Sequence, residues 1–149
     1  MIVLLDAGPL GVITNPKTSP ENEKCKAWVS AMAFAGARIV IPEIADYEVR
    51  RELIRGDKLK GISRLDALRA ILAYEPITTA VMRRAAEFWA SARKQGRQAT
   101  DDSALDADMI LAAQAVELAP EDQNTMIATM NPRRLALFAD AREWSQIHP

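Results

Sequence analysis

The chain has 149 residues, enough for one domain that buries roughly two-thirds of its unfolded surface. Its composition, 49% hydrophobic and 26% charged, carries no repeat or low-complexity tract, which excludes a fibrous or disordered protein. A single cysteine, Cys25, excludes an internal disulfide, and a net charge of -1 gives no global pull toward nucleic acid.

Ile2-Val3-Leu4-Leu5 reads as a buried strand, supported by the β-branched pair at its start. It is too short to span a membrane, has no basic leader before it, and ends at Asp6. The expectation is a protein of the reducing cytoplasm, not of the membrane. Asp6 runs straight into Ala7-Gly8-Pro9, a turn that places its carboxylate at the carboxyl edge of a sheet. In open α/β folds that edge binds ligands and metals.

A loop follows over Asn15-Pro16-Lys17-Thr18-Ser19-Pro20, then a helix from about Glu21 to Ala35, ended by Gly36. Cys25, Trp28, Val29 and Met32 recur on it at helical spacing, so Cys25 is a core residue. Arg38-Ile39-Val40-Ile41 is a second strand closed by Pro42, and Glu43 to Arg55 is a helix stopped by Gly56. A third helix is predicted over 61–73 with Ser63 as its cap, then an extended piece at Pro76-Ile77-Thr78. Thr79 is the expected cap of a helix over 80–94. A polar loop at 96–100 leads to a helix starting near Asp106 and ending at Leu118. Thr125 to Thr129 is the last clear strand, before a segment of mixed signals around Phe138 and Trp144. Strands separated by helices imply parallel pairing. The expected fold is a single three-layer α/β/α sandwich with a small central parallel sheet.

Acidic residues at four places in the chain can reach the end of the first strand. Asp6 is either a helix cap or part of a site, and Glu48 either pairs with Arg51 on its helix or joins Asp6. The run from Asp101 to Asp108 holds four carboxylates, of which Asp101 and Asp102 read as solvated loop. Asp106 and Asp108 point to nearly opposite sides of a regular helix. They share one cation only if the helix starts around Asp106. Asp108 lies on the face of Leu111, Ala112 and Ala115, and a partly buried carboxylate there needs a partner. Asn131 follows Thr129 at the same sheet edge, as a turn residue before Pro132 or as a member of the site. Carboxylates brought together repel unless a hard cation lies between them. Basic groups, including Arg50-Arg51-Arg55 and Arg133-Arg134, read as solvated helix faces or, where they converge, as a phosphate-binding surface.

These pieces together resemble PIN-domain nucleases, and more narrowly the VapC-like toxins of type II toxin–antitoxin pairs. The resemblance is carried by 2–6, by 41–53 around Glu48, by 106–115, and by Ala128-Thr129-Met130-Asn131, in this order over most of the chain. It implies a PIN-like fold and an Mg²⁺- or Mn²⁺-dependent endoribonuclease. It further implies that Asp6, Glu48 and Asp108 are metal ligands, that Asp106 is a fourth catalytic acid, and that Asn131 and Thr129 support the pocket. Arg50 and Arg51 are the candidates for gripping an RNA backbone. A homodimer and a small antitoxin partner are implied by the same resemblance, with Trp28, Phe34 and Trp144 as apolar candidates for such contacts. The pattern departs from the family at Ala7-Gly8, where many relatives carry a hydroxyl residue, and at Asn131, where some carry an acid. The Ala7-Gly8 departure is also compatible with a catalytically weak metal-binding or protein-interaction module. A phosphotransfer domain with Asp6 as acceptor lacks the second acid and the late lysine it needs.

Overall fold

Ile2 to Leu5 are all fully buried, because β1 (Ile2–Leu5) is the central strand of its sheet and is covered on both faces. The computed structural model describes residues 1–95, 102–121 and 123–149. After β1 come α1 (Ala7–Thr14), α2 (Pro20–Phe34), β2 (Arg38–Pro42), α3 (Glu43–Arg55), α4 (Leu59–Ile71) and β3 (Ala73–Glu75). The chain continues through α5 (Thr79–Lys94), α6 (Asp102–Leu118), β4 (Thr125–Thr129) and β5 (Ala141–Glu143). All four strand pairings are parallel, in the order β3-β2-β1-β4-β5.

The pleat divides the core. Val3 and Leu5 of β1, with Ile39, Ile41, Met126 and Ala128, pack on one face against residues of α1 to α4. Ile2, Leu4, Val40 and Ile127 face the other way onto Ala107, Leu111, Ala112 and Ala115 of α6. The small residues let α6 lie close to the sheet, and α5 packs over α6 through Val81, Ala85, Met109 and Ala113. This is a three-layer α/β/α sandwich. Among the described residues, no helix is long and apolar enough to cross a membrane.

Several boundaries move from their sequence positions, each for a local reason. Residues 7–14 form a helix where a turn was expected. Asp6 caps it by accepting from the Ala7 N–H at 2.7 Å, and Pro9 falls in the first turn, where its missing donor costs nothing. Gly36 ends α2 with φ +89°, the left-handed conformation that closes many helices. The third predicted helix begins at Leu59 instead of Gly61, which leaves Ser63 exposed inside it. Its end is earlier too, because Ala73-Tyr74-Glu75 pairs with Val40-Ile41-Pro42 as an edge strand. The side chain capping α5 is that of Thr78, which accepts from the Val81 N–H at 3.2 Å; Thr79 is the first helical residue. The polar loop expected at 96–100 and Asp101 lie outside the described residues.

Candidate active site

Sheet order fixes where the site lies. From β1 the chain builds outward to β2 and β3 on one side, and returns to β4 and β5 on the other. The order therefore reverses between β1 and β4, and such a switch point leaves a crevice at the carboxyl ends of the two strands. Leu5 is in register with Ala128, so Asp6 and Thr129 stand side by side at that crevice. The Asp6 N–H extends the ladder by donating to the Ala128 carbonyl at 3.0 Å.

Both Asp6 oxygens are engaged. Oδ1 caps α1, and Oδ2 accepts from the Thr129 hydroxyl at 2.6 Å. The hydroxyl in turn accepts from the Asn131 backbone N–H at 3.1 Å. Thr129 thus fixes the Asp6 carboxylate and the turn after β4 with one fully buried side chain. It supplies the hydroxyl that Ala7-Gly8 does not. Gly8 has no room for one: a Cβ there lies 2.7 Å from the Met130 Cγ.

Glu48 approaches from the middle of α3 and Asp108 from α6, both half-buried. The Glu48 carboxyl is pushed up to about 7, first by burial and then by the negative charge of Asp6; Arg51 opposes this and Asp108 adds to it. The Asp108 carboxyl is also raised, chiefly by burial and further by Asp6, against the counter-effect of Arg134. Glu48 and Asp108 thus both lie within range of the Asp6 charge, and Glu48 within range of Asp108. Each has a positive or donor neighbour: Thr129 at Asp6, Arg51 at 3.9 Å from Glu48, and Arg134 Nε at 2.7 Å from Asp108 Oδ2.

The other candidate residues are placed differently. Asp106 does not join the three acids. Because α6 begins at Asp102, both Asp106 and Asp108 are inside a regular helix and diverge. Asp106 is exposed and lines a cleft of about 370 Å³ with Met82, Ala85 and Trp89 of α5. Arg50 is engaged within the fold. Its guanidinium donates to Asp46 at 2.7 and 3.3 Å and to Asp66 at 2.8 Å, tying α3 to α4. Arg51 is exposed, lies over the Tyr47 ring, and shares with Glu48 a cleft of about 590 Å³ between α1 and α3. The Asn131 side chain is exposed and accepts from the Arg133 N–H at 3.4 Å, a turn contact. Of the apolar candidates, Phe34 is 96% exposed. Trp28 and Trp144 instead pack on each other, ring centroids 5.6 Å apart, with the Trp28 indole donating to the Ile147 carbonyl. Arg134 is the residue that sequence reading missed. It appeared only as half of a basic pair, although its position just beyond a carboxyl strand end was visible.

Hard carboxylate oxygens grouped at a sheet edge fit Mg²⁺ or Mn²⁺ by type and place. Among the described residues, however, no three His, Cys, Asp or Glu side chains already stand in a metal-holding arrangement. A cation that takes Asp108 as a ligand has to draw it from Arg134.

Comparison with known proteins agrees with this fold. The PIN domain family model matches residues 3–131. No curated protein sequence matches the chain. Among solved structures, VapBC2 from Rickettsia felis, bound to a DNA fragment from its promoter, aligns with a TM-score of 0.74 at 16% identity, over 97% of this chain and 99% of the other. VapBC-1 from nontypeable Haemophilus influenzae aligns with a TM-score of 0.66 at 17% identity, over 98% and 100%. The Mycobacterium tuberculosis toxin VapC20, described as cleaving the sarcin-ricin loop, gives 0.63 at 12% identity, over 91% and 94%. At these identities the likeness is one of fold. The family model, spanning both the Asp6 strand and the Thr129 strand, carries the assignment: the chain belongs to the PIN domain family.

Proposed function

We propose that this protein is a divalent-metal-dependent endoribonuclease, the toxin of a toxin–antitoxin pair. The observation that carries the reading is the mutual electrostatic influence of Asp6, Glu48 and Asp108 at the switch point of a PIN fold. Asp6, Glu48 and Asp108 would hold Mg²⁺ or Mn²⁺, which when bound supplies Lewis acidity toward a phosphodiester and lowers the pKa of a water.

The chain's own residues do the rest. Thr129 holds Asp6 in one orientation, so the carboxylate is preorganised. Glu48, with its carboxyl raised to about 7, is about half protonated at neutral pH and would give up that proton when positive charge arrives. Arg51 and Lys58 line the same cleft as Glu48 and offer cations to a backbone entering it. Single-stranded or looped RNA suits an open cleft of this kind, because an unpaired backbone bends into it. The sarcin-ricin specificity of VapC20 supports RNA as the substrate class, and the VapBC neighbours support an antitoxin partner. A homodimer in the cytoplasm belongs to the same reading.

Incubating the purified protein with looped and unstructured RNA, in Mg²⁺, Mn²⁺ or EDTA, tests this. Cleavage is expected only with metal. Asp6→Asn and Asp108→Asn should each lose more than the roughly 10–100-fold that an outer-shell partner typically costs. One observation favours a second reading, a metal-binding or protein-interaction module with little turnover: Asp108 is already paired with Arg134. Intact metal binding with no cleavage of any RNA would establish that version.

A further inference from the structure

Among the described residues, Asp108 has one close cationic neighbour, and that neighbour is well placed to move. The Arg134 Nε to Asp108 Oδ2 distance is 2.7 Å, with the arginine side chain 44% exposed and the carboxylate 21%. The backbone beneath Arg134 is fixed. Leu135 is buried in the α6 face of the sheet, the Ala136 N–H donates to the Pro132 carbonyl at 2.8 Å, and the Leu137 N–H donates to the Arg134 carbonyl at 3.3 Å. A rigid turn therefore presents a long, half-solvated side chain to the rim of the acidic pocket. Arg50 offers a contrast: its guanidinium is spanned by two aspartates and is mostly buried.

We propose that Arg134 is an internal counter-ion for the acidic pocket, which competes with a divalent cation for Asp108 and, once displaced, binds the substrate phosphate. The inference rests on the nuclease reading above. The chemistry follows from charge balance. A hydrated divalent cation and a guanidinium cannot both sit against the same carboxylate oxygen without repelling each other. A displaced guanidinium keeps its fixed Cα, so it remains beside the new centre of positive charge. That is where a phosphate would bind, and a guanidinium matches phosphate geometry through paired N–H donors. Arg134 then acts as a positioning group for metal occupancy and as a direct contact for the backbone.

Removing Arg134 should move two affinities in opposite directions. Mn²⁺ binding to the purified full chain, measured by calorimetry, is expected to tighten by about two- to fivefold in Arg134→Gln, the range a half-exposed ion pair allows. The effect should vanish when Asp108→Asn is already present, the coupling expected of two groups in contact. In Ca²⁺, binding of a single-stranded RNA oligonucleotide, checked by gel to stay intact, should weaken in Arg134→Gln, with its salt dependence reduced by about one phosphate contact. Arg134→Lys should recover part of both effects. Mn²⁺ affinity that is unchanged or weaker in Arg134→Gln, or oligonucleotide binding that does not weaken, overturns the proposal. If the wild-type chain binds no Mn²⁺, the nuclease reading fails together with it. If wild type binds Mn²⁺ through Asp108 while Arg134→Gln changes nothing, only this inference fails.

Discussion

Thr129 is the clearest case of one side chain setting the chemistry of another. Its hydroxyl donates to Asp6 Oδ2 and accepts from the Asn131 N–H, so a single oxygen couples the first strand's carboxylate to the turn after β4. Thr129→Val keeps the branched shape and the strand preference but leaves both partners unmatched. Metal affinity and cleavage rate should each fall by about 10–100-fold, as for other residues that orient a ligand. Thr129→Ser should restore most of the loss, since it returns the hydroxyl and removes only a methyl. If Val and wild type bind Mn²⁺ equally, the hydroxyl is not what holds Asp6. The sequence reading put Thr129 at the same sheet edge as Asp6, but no spacing rule shows that its hydroxyl is the one that meets the carboxylate. A Cβ added at Gly8 lies 2.7 Å from the Met130 Cγ, so a side chain there requires Met130 to shift.

At the scale of the elements, α3 shows how neighbouring arginines take separate tasks. Glu48 and Arg51 lie on the cleft side, while Arg50 turns toward α4 and donates to both Asp46 and Asp66. Asp46 is nearly fully buried, so Arg50→Ala strands a carboxylate inside the fold. Because Arg50 itself keeps some contact with water, a loss of about 2–3 kcal/mol in urea unfolding is expected, at the low end for a broken buried pair. RNA binding by the folded Arg50→Ala protein should keep its salt dependence, whereas Arg51→Ala should lower it. An equal loss of salt dependence in both variants would return Arg50 to the substrate surface. Helical periodicity found α3 and its limits from Glu43 to Arg55, but it cannot say which neighbour each face meets. The same gap explains Asp106. Four acids ahead of an apolar helix read equally well as a cap at Asp106 or as a helix already under way. Starting the helix at Asp102 turns Asp106 toward Trp89 and away from the pocket.

Across the whole molecule, the parallel sheet and its layers were legible because β1, β2 and β4 are apolar on both faces and are separated by helical periods. Two pieces were hidden by their size and setting. The edge strand Ala73–Glu75 is three residues long and gains its identity only by pairing with β2. The strand Ala141–Glu143 likewise depends on β4. The candidate site is a property of topology: Asp6, Glu48 and Asp108 are distant in sequence and are brought toward one sheet edge because β1 and β4 are neighbours, with α3 and α6 on opposite faces. Bringing like charges together leaves a measurable trace in the stability of the entire fold. Glu48 has an ordinary carboxyl value of 4.5 and is raised to about 7 in the folded chain. Between those values the native state holds more protons than the unfolded state, so stability without metal should fall as pH rises from about 4.5 to about 7, then level off. On the metal-binding reading, a divalent cation would reverse the penalty by replacing the proton. Its affinity should be on the order of tenfold weaker at pH 6 than at pH 8, because at pH 6 Glu48 must first be deprotonated. At pH 8, metal at about 100 times its dissociation constant should stabilise the fold by about 2.7 kcal/mol, or about 5–10 °C in melting temperature. The raised Asp108 carboxyl acts in the same direction. Thermal melts at both pH values, with Mn²⁺ and with EDTA, check the sign. A shift that is larger at pH 6, or that survives in Asp108→Asn, would mean the ion binds somewhere other than among these acids.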